Sequence, residues 1–131
     1  VLMRNNQVFI VYSCRESWLK EYRQGMLQLK SADADPQNPE SWKKQGPVFE
    51  GNQAVHGVGH VSFVKSPDRT EDWIIYHSKK GTEPGWNRDV RMQPFTWNTD
   101  GTPNFGEAIK AGEPLKRPSG EVKIEKALKN E

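Results

Sequence analysis

Hydrophobic positions in this chain fall in short runs separated by polar turns rich in Gly and Pro, a strand-like and not a helical pattern. Residues 1–4 read as the end of a strand, closed by the Asn5-Asn6 turn. Residues 8–14 form a nearly continuous apolar run, which predicts a strand buried on both faces. Residues 23–30 alternate well enough for another strand, and the Asp, Asn and Pro content of 32–41 predicts a loop. A short outer strand is predicted over 42–44, with Gly46-Pro47-Val48-Phe49 leading away from it. After a loop over 51–57, residues 59–65 are a strand with His60, Ser62 and Val64 on one face and Val61 and Phe63 on the other. Residues 72–78 are its hairpin partner, 79–87 a Gly/Pro loop, and 88–97 the longest predicted strand. Asp100-Gly101 marks a turn, 105–109 a last strand, and from Gly112 the chain is a polar tail with weak helical character over 121–129.

Two of these runs are copies of one pattern. Under an offset of 64 (Val8 to Asp72), Phe9 meets Trp73, Ile10 meets Ile74, Val11 meets Ile75 and Tyr12 meets Tyr76. A further strand begins near Arg23 in the first copy and near Arg88 in the second. An all-β repeat on this scale points to four-stranded antiparallel blades of a propeller or a similar array. Two units cannot close a ring, so the chain is expected to be part of something larger. The expected organisation is a partial blade with a truncated inner strand and its connection over 1–50, a complete blade over 51–111, and the tail over 112–131.

Composition agrees with sheet and long loops: only 34% of the 131 residues are hydrophobic, yet there are five Trp, five Phe and three Tyr. The net charge of +2 argues against a dedicated nucleic-acid surface, because the basic excess lies largely in the tail from Lys110 onward. No apolar run approaches the roughly 18 residues of a membrane span. A single Cys14 excludes an internal disulfide. The first residues open directly into a strand pattern, unlike a leader peptide, and the compartment stays open.

Several motifs occur in a specific order: Phe9-Ile10-Val11-Tyr12-Ser13, Asp35-Pro36-Gln37-Asn38-Pro39 followed by Ser41-Trp42, Gly46-Pro47-Val48-Phe49, and Gly57-Val58-Gly59-His60. Glu71-Asp72-Trp73-Ile74-Ile75-Tyr76-His77, Gln93-Pro94-Phe95-Thr96-Trp97 and Asp100-Gly101-Thr102-Pro103 complete the set. Together, over roughly residues 1 to 120, the chain resembles the C-terminal part of glycoside hydrolase family 43, especially its α-L-arabinofuranosidase-like members. The resemblance implies about the last two blades of a five-bladed β-propeller that cleaves arabinosides or xylosides with inversion. It also implies that none of the three catalytic carboxylates lies in this chain, the acid Glu belonging to an Asn-Glu-Gly-Pro-like stretch just before Val1. Asp33, Asp35, Glu71 and Asp72 sit in turn contexts, where solvated or backbone-capping roles are the ordinary reading.

Three residues carry the candidate chemistry, His60 and Arg88 through the resemblance and Trp18 through its aromatic face. His60 would point into the central channel and hold a calcium ion through water, since one imidazole is a poor partner for a cation that takes six to eight oxygens. Val58 and Val61 depart from the Pro and Asn usual around this His. Arg88 would reach the sugar subsite beside the scissile bond, where a planar charged fork suits both a hydroxyl and a carboxylate; the plainer reading pairs it with Asp89 or Glu83 on the surface. Trp18, in a loop with Ser13, Arg15 and Ser17, is either a stacking platform for a sugar or core or rim packing. Arg91 reads as a surface residue, Trp73 as core, Cys14 as a buried inert thiol, His56 as lining an entrance loop and His77 as packed between strands. Two function classes follow. One is an inverting glycosidase to which this chain supplies the channel His, a substrate-binding Arg and two blades, with the remaining N-terminal blades as its partner and an oligo- or polysaccharide as substrate. The other is a non-catalytic carbohydrate-binding propeller module. A purely structural fragment is a third reading, and residues encoded upstream of Val1 discriminate among them.

Overall fold

The computed structural model describes residues 1–122, which form two four-stranded antiparallel sheets. The first orders β1 (Leu2–Arg4), β2 (Gln7–Cys14), β3 (Arg23–Leu29) and β4 (Trp42–Phe49); the second orders β5 (His56–Lys65), β6 (Asp72–Lys79), β7 (Arg88–Trp97) and β8 (Pro103–Asn104). Strand order follows chain order, so every connection joins neighbours, as in propeller blades. Among the described residues no helix is long and apolar enough to cross a membrane.

The core lies between the sheets. Phe9, Met26 and Phe49 enter it from the first sheet, Ile74, Tyr76 and Phe95 from the second, and Val55, Phe105 and Ala108 from the connections. Phe49 meets Tyr76 edge-on with ring centroids 4.9 Å apart, and Phe105 packs between Phe49, Phe63 and Phe95. Burying one such side chain contributes roughly 1.5–3 kcal/mol, so this aromatic seam is the main bond between the sheets.

The direction of packing follows from the repeat. Phe9 and Val11 face the second sheet, whereas the matching Trp73 and Ile75 face away from the first. Ile74 and Tyr76 face the first sheet, while the matching Ile10 and Tyr12 turn outward and are only half-buried. The sheets therefore stack head to tail, each presenting the same face in the same rotational sense. β2 is accordingly not buried on both faces as its apolar run predicts; of its residues only Phe9 is fully buried, because its outward face has no sheet against it among the described residues.

Three further boundaries differ from the sequence expectation. β4 does not stop at Lys44 but runs through a cis Gly46–Pro47 peptide to Phe49, with a register shift opposite Gln24 and Met26. β5 starts at His56, three residues early, and passes two register shifts before Ser62. Residues 105–109 are not a strand; their main chain bonds to side chains instead. The buried Gln93 amide donates to the carbonyls of Phe105 (3.1 Å) and Glu107 (2.9 Å) and accepts from the Ile109 N–H (3.0 Å), while Arg91 Nη1 donates to the Ile109 carbonyl at 3.1 Å. These bonds satisfy the groups a ladder would otherwise pair. The polar tail adds nothing to the apolar core, yet it is tied down: the Ser119 N–H donates to Glu71 at 3.0 Å and its hydroxyl to Asp68. The weak helical character read over 121–129 lies outside the described residues from 123 onward.

Candidate functional site

One end of the second sheet gathers the chemistry. The start of β5, the end of β6 and the start of β7 meet there, since His56 pairs with Lys79 and Lys79 with Arg88. Two loops close over this end, residues 15–22 after β2 and residues 80–87 between β6 and β7.

Local sequence explains how the strand ends accept their neighbours. Gly57 and His60 both adopt left-handed backbone, φ 56° and 54°, at the register shifts of β5. That geometry is free for glycine but strained for His60, and the Ser13 hydroxyl steadies it by accepting the His60 N–H at 3.1 Å. Gly59 has no Cβ for a different reason. A Cβ there would lie 1.8 Å from the Tyr22 ring, so only glycine lets Tyr22 rest on β5. Tyr22 in turn stacks on His77, with centroids 5.7 Å apart and planes at 19°.

His77 is the hub. Its ring lies 6.0 Å from that of His60, and its Nε2 accepts from Arg88 Nη1 at 3.1 Å. A guanidinium can only donate, so Nε2 carries the lone pair and the ring proton sits on Nδ1. Burial, then the positive charge of Arg88, then His60, lower the His77 pKa from the ordinary 6.5 to about 4. Arg88 also donates through Nη2 to the Ser17 carbonyl. Its expected surface partners do not materialise: Asp89 pairs with Lys80 at 3.2 Å, and among the described residues no carboxylate forms an ion pair with Arg88. The guanidinium lies instead over the ring of Trp86, 4.6 Å from its centroid.

Trp86 belongs with Trp18. The two indoles sit 5.9 Å apart at 51°, and both are open to solvent, 66% and 44% exposed. The structure thus brings Arg88, Trp18 and His60 into one neighbourhood, with His77, Trp86 and Tyr22 linking them. The sequence pattern does not single out Trp86 or Tyr22. An indole in the Pro84-Gly85-Trp86 loop, two positions before Arg88, was the available signal; Tyr22 had none beyond its place near Gly59 in the fold.

Other candidates resolve into supporting roles. Arg91 is not a surface residue; its half-buried guanidinium bonds Ser78 and the Ile109 carbonyl. Asp72 accepts from Trp97 Nε1 at 2.9 Å and pairs with Lys65 at 2.6 Å, and Glu71 accepts from Trp73 Nε1 at 3.0 Å. Asp35 caps the Gln37 N–H at 2.9 Å, and Asp33 is exposed. Cys14 is half-buried rather than buried, its thiol directed at the Arg23 carbonyl. His56 is half-buried and lines an open cleft with Tyr22 and Glu50. No cluster of three or more His, Cys, Asp or Glu able to hold a metal occurs among the described residues. The exposed His60 side chain offers one nitrogen toward a calcium ion, and the many oxygens calcium requires would have to be water or come from elsewhere.

The sequence profile described as glycosyl hydrolases family 43 matches residues 1–103. Alpha-L-arabinofuranosidase 43 of Humicola insolens is 36% identical over 121 residues, and the extracellular exo-alpha-(1->5)-L-arabinofuranosidase of Streptomyces avermitilis is 37% identical over 121. Each alignment covers 86% of this chain and 25% of the relative, so the chain spans about a quarter of their length. The crystal structure of alpha-L-arabinofuranosidase from Lactobacillus brevis superimposes with a TM-score of 0.78 at 38% identity, covering 86% of this chain and 37% of that one.

Proposed function

The chain belongs to glycosyl hydrolases family 43, and from that premise we propose that it forms the substrate-holding face of an inverting glycoside hydrolase. The substrate class is arabinose- or xylose-containing plant oligo- and polysaccharide, with α-L-arabinofuranoside the first choice. The observation that carries this reading is the convergence of Arg88, the Trp18–Trp86 pair and His60 at one open end of the second sheet. Indole faces stack on the apolar face of a sugar, while a guanidinium grips its hydroxyls, so the two together hold a neutral carbohydrate.

In this reading the chain binds and orients, and the remaining blades of a full five-bladed propeller supply the acid and the base. An inverting pair must stand roughly 6.5–9.5 Å apart to admit a water between base and sugar. Arg88 donates to a sugar hydroxyl or a catalytic carboxylate through the N–H groups that His77 and Ser17 leave free. His60 would take part in holding a calcium ion through water, and no proton transfer is assigned to it.

The test uses the longer protein that carries this chain, with arabino-oligosaccharide or aryl arabinofuranoside followed by proton NMR. The expected first product is arabinose of inverted anomeric configuration. Arg88→Ala should lower kcat/KM by about 2–4 kcal/mol of transition-state binding, roughly thirty- to a thousandfold, and damage catalysis more than stability. Arg88→Lys should recover little, because a point charge cannot make two parallel contacts. Sugar binding without release would favour the non-catalytic module, and a near-normal rate for Arg88→Ala would remove Arg88 from the site.

A further inference from the structure

Lys79 closes β6 in an unusual setting. Lysine is almost never buried without a charged partner, yet Lys79 is only 4% exposed and forms no ion pair among the described residues. Its Nζ donates to two main-chain carbonyls, that of Trp18 at 2.8 Å and that of Gly85 at 2.7 Å. Those carbonyls belong to the two separate loops that present Trp18 and Trp86. The Trp18 carbonyl also accepts the Gly85 N–H at 2.9 Å, so a single oxygen joins both loops to the end of β6.

We propose that Lys79 is a positioning residue: its buried amino group clamps the 15–22 and 80–87 loops together and so sets the spacing of Trp18 and Trp86 beside Arg88. The local chain is arranged around its stem. A Cβ on Gly57 would approach Lys79 Cγ and Cδ at 2.8 and 2.7 Å and the Leu19 carbonyl at 2.8 Å, so glycine leaves the channel the stem occupies. The Gly57 N–H donates to the Lys20 carbonyl at 2.9 Å, and Arg88 holds the Ser17 carbonyl. The first loop is thus anchored at Ser17, Trp18 and Lys20. The second is closed by the Lys80 N–H on the Asn87 carbonyl at 3.0 Å, touches Arg88 through Trp86, and is hydrogen-bonded to the first through Gly85.

The indoles cannot hold this arrangement themselves. At 66% and 44% exposure they bury too little surface to fix two loops. The bonds from Lys79 do so before any ligand arrives, which spares a sugar the cost of ordering them. The clamp stands on geometry alone; only its consequence for substrate rests on the proposed sugar-binding role of the indoles.

The experiment uses the longer protein carrying this chain and the variant Lys79→Met, which keeps the stem length and removes the donors. The indole–indole exciton band in circular dichroism, defined as the component lost in Trp86→Phe, reads the Trp18–Trp86 geometry without substrate. Lys79→Met should abolish that band and raise KM for an arabino-oligosaccharide about tenfold with kcat nearly unchanged, the signature of lost uniform binding. Lys79→Arg, which retains donors, should restore part of both. A wild-type exciton band in folded Lys79→Met overturns the clamp, whatever happens to KM. Loss of the band with unchanged KM upholds the clamp and instead removes the indoles from sugar binding. Should Lys79→Met fail to fold, hydrogen exchange in the unaltered protein decides. The Gly85 amide must exchange far more slowly than that of Gly81 in the same loop, and equal rates overturn the proposal.

Discussion

At the scale of the residue, the site is organised by a histidine that must stay neutral. Arg88 can only donate, so its bond to His77 exists only while Nε2 holds a lone pair. Because burial and Arg88 lower the folded pKa to about 4 while the unfolded chain titrates near 6.5, the unfolded state takes up the proton first as pH falls. This contribution to stability is complete above pH 6.5, declines between 6.5 and 4, and is gone below 4. Melting temperatures measured across that window should therefore fall less steeply in His77→Gln than in the unaltered protein; parallel curves would mean His77 titrates normally. Of these residues Arg88, His60 and Trp18 were legible in the sequence, the first two because a family resemblance marks them. His77 was not, since a histidine inside an apolar run reads as packing, and its role depends on a ring from the loop after β2, Tyr22, reaching it over Gly59.

At the scale of the element, the repeat was legible because hydrophobic period and turn chemistry agree over each hairpin. The ends were less so. Residues 105–109 look like a strand because Phe105 and Ala108 are apolar core residues, but Gln93 and Arg91 side chains satisfy their main chain. β5 starts earlier than its pattern predicts because Gly57 takes left-handed backbone at a register shift, which period-two patterning does not reveal. The apolar run of β2 predicts burial on both faces because a sequence does not say whether a second neighbour is at hand. Head-to-tail stacking leaves one open face at each end of the pair. On the second sheet that face carries Val64, Ile75 and Met92 in adjacent rows, with Val64 and Met92 exposed. The isolated 131-residue chain should consequently self-associate, and sedimentation velocity should find concentration-dependent species larger than the monomer. A monomer that melts cooperatively would contradict this.

At the scale of the whole molecule, two blades gather a guanidinium, two open indoles and an imidazole at one end, and in the proposed reading the acid–base pair of carboxylates belongs to the remaining blades. Asp72 and Glu71 are occupied with Trp97, Lys65 and Trp73, and Asp68 is held ionised, well below the usual carboxylate range, chiefly by the Ser119 hydroxyl and by Thr70. In the proposed reading this surface holds the sugar and the remaining blades protonate the leaving group. The most direct measurement compares release of the aryl group from an aryl α-L-arabinofuranoside by the 131-residue chain and by the longer protein that carries it, at equal concentration. The predicted result is release by the longer protein and none above buffer by the chain. Hydrolysis by the chain alone at a comparable rate would contradict the division of binding from catalysis.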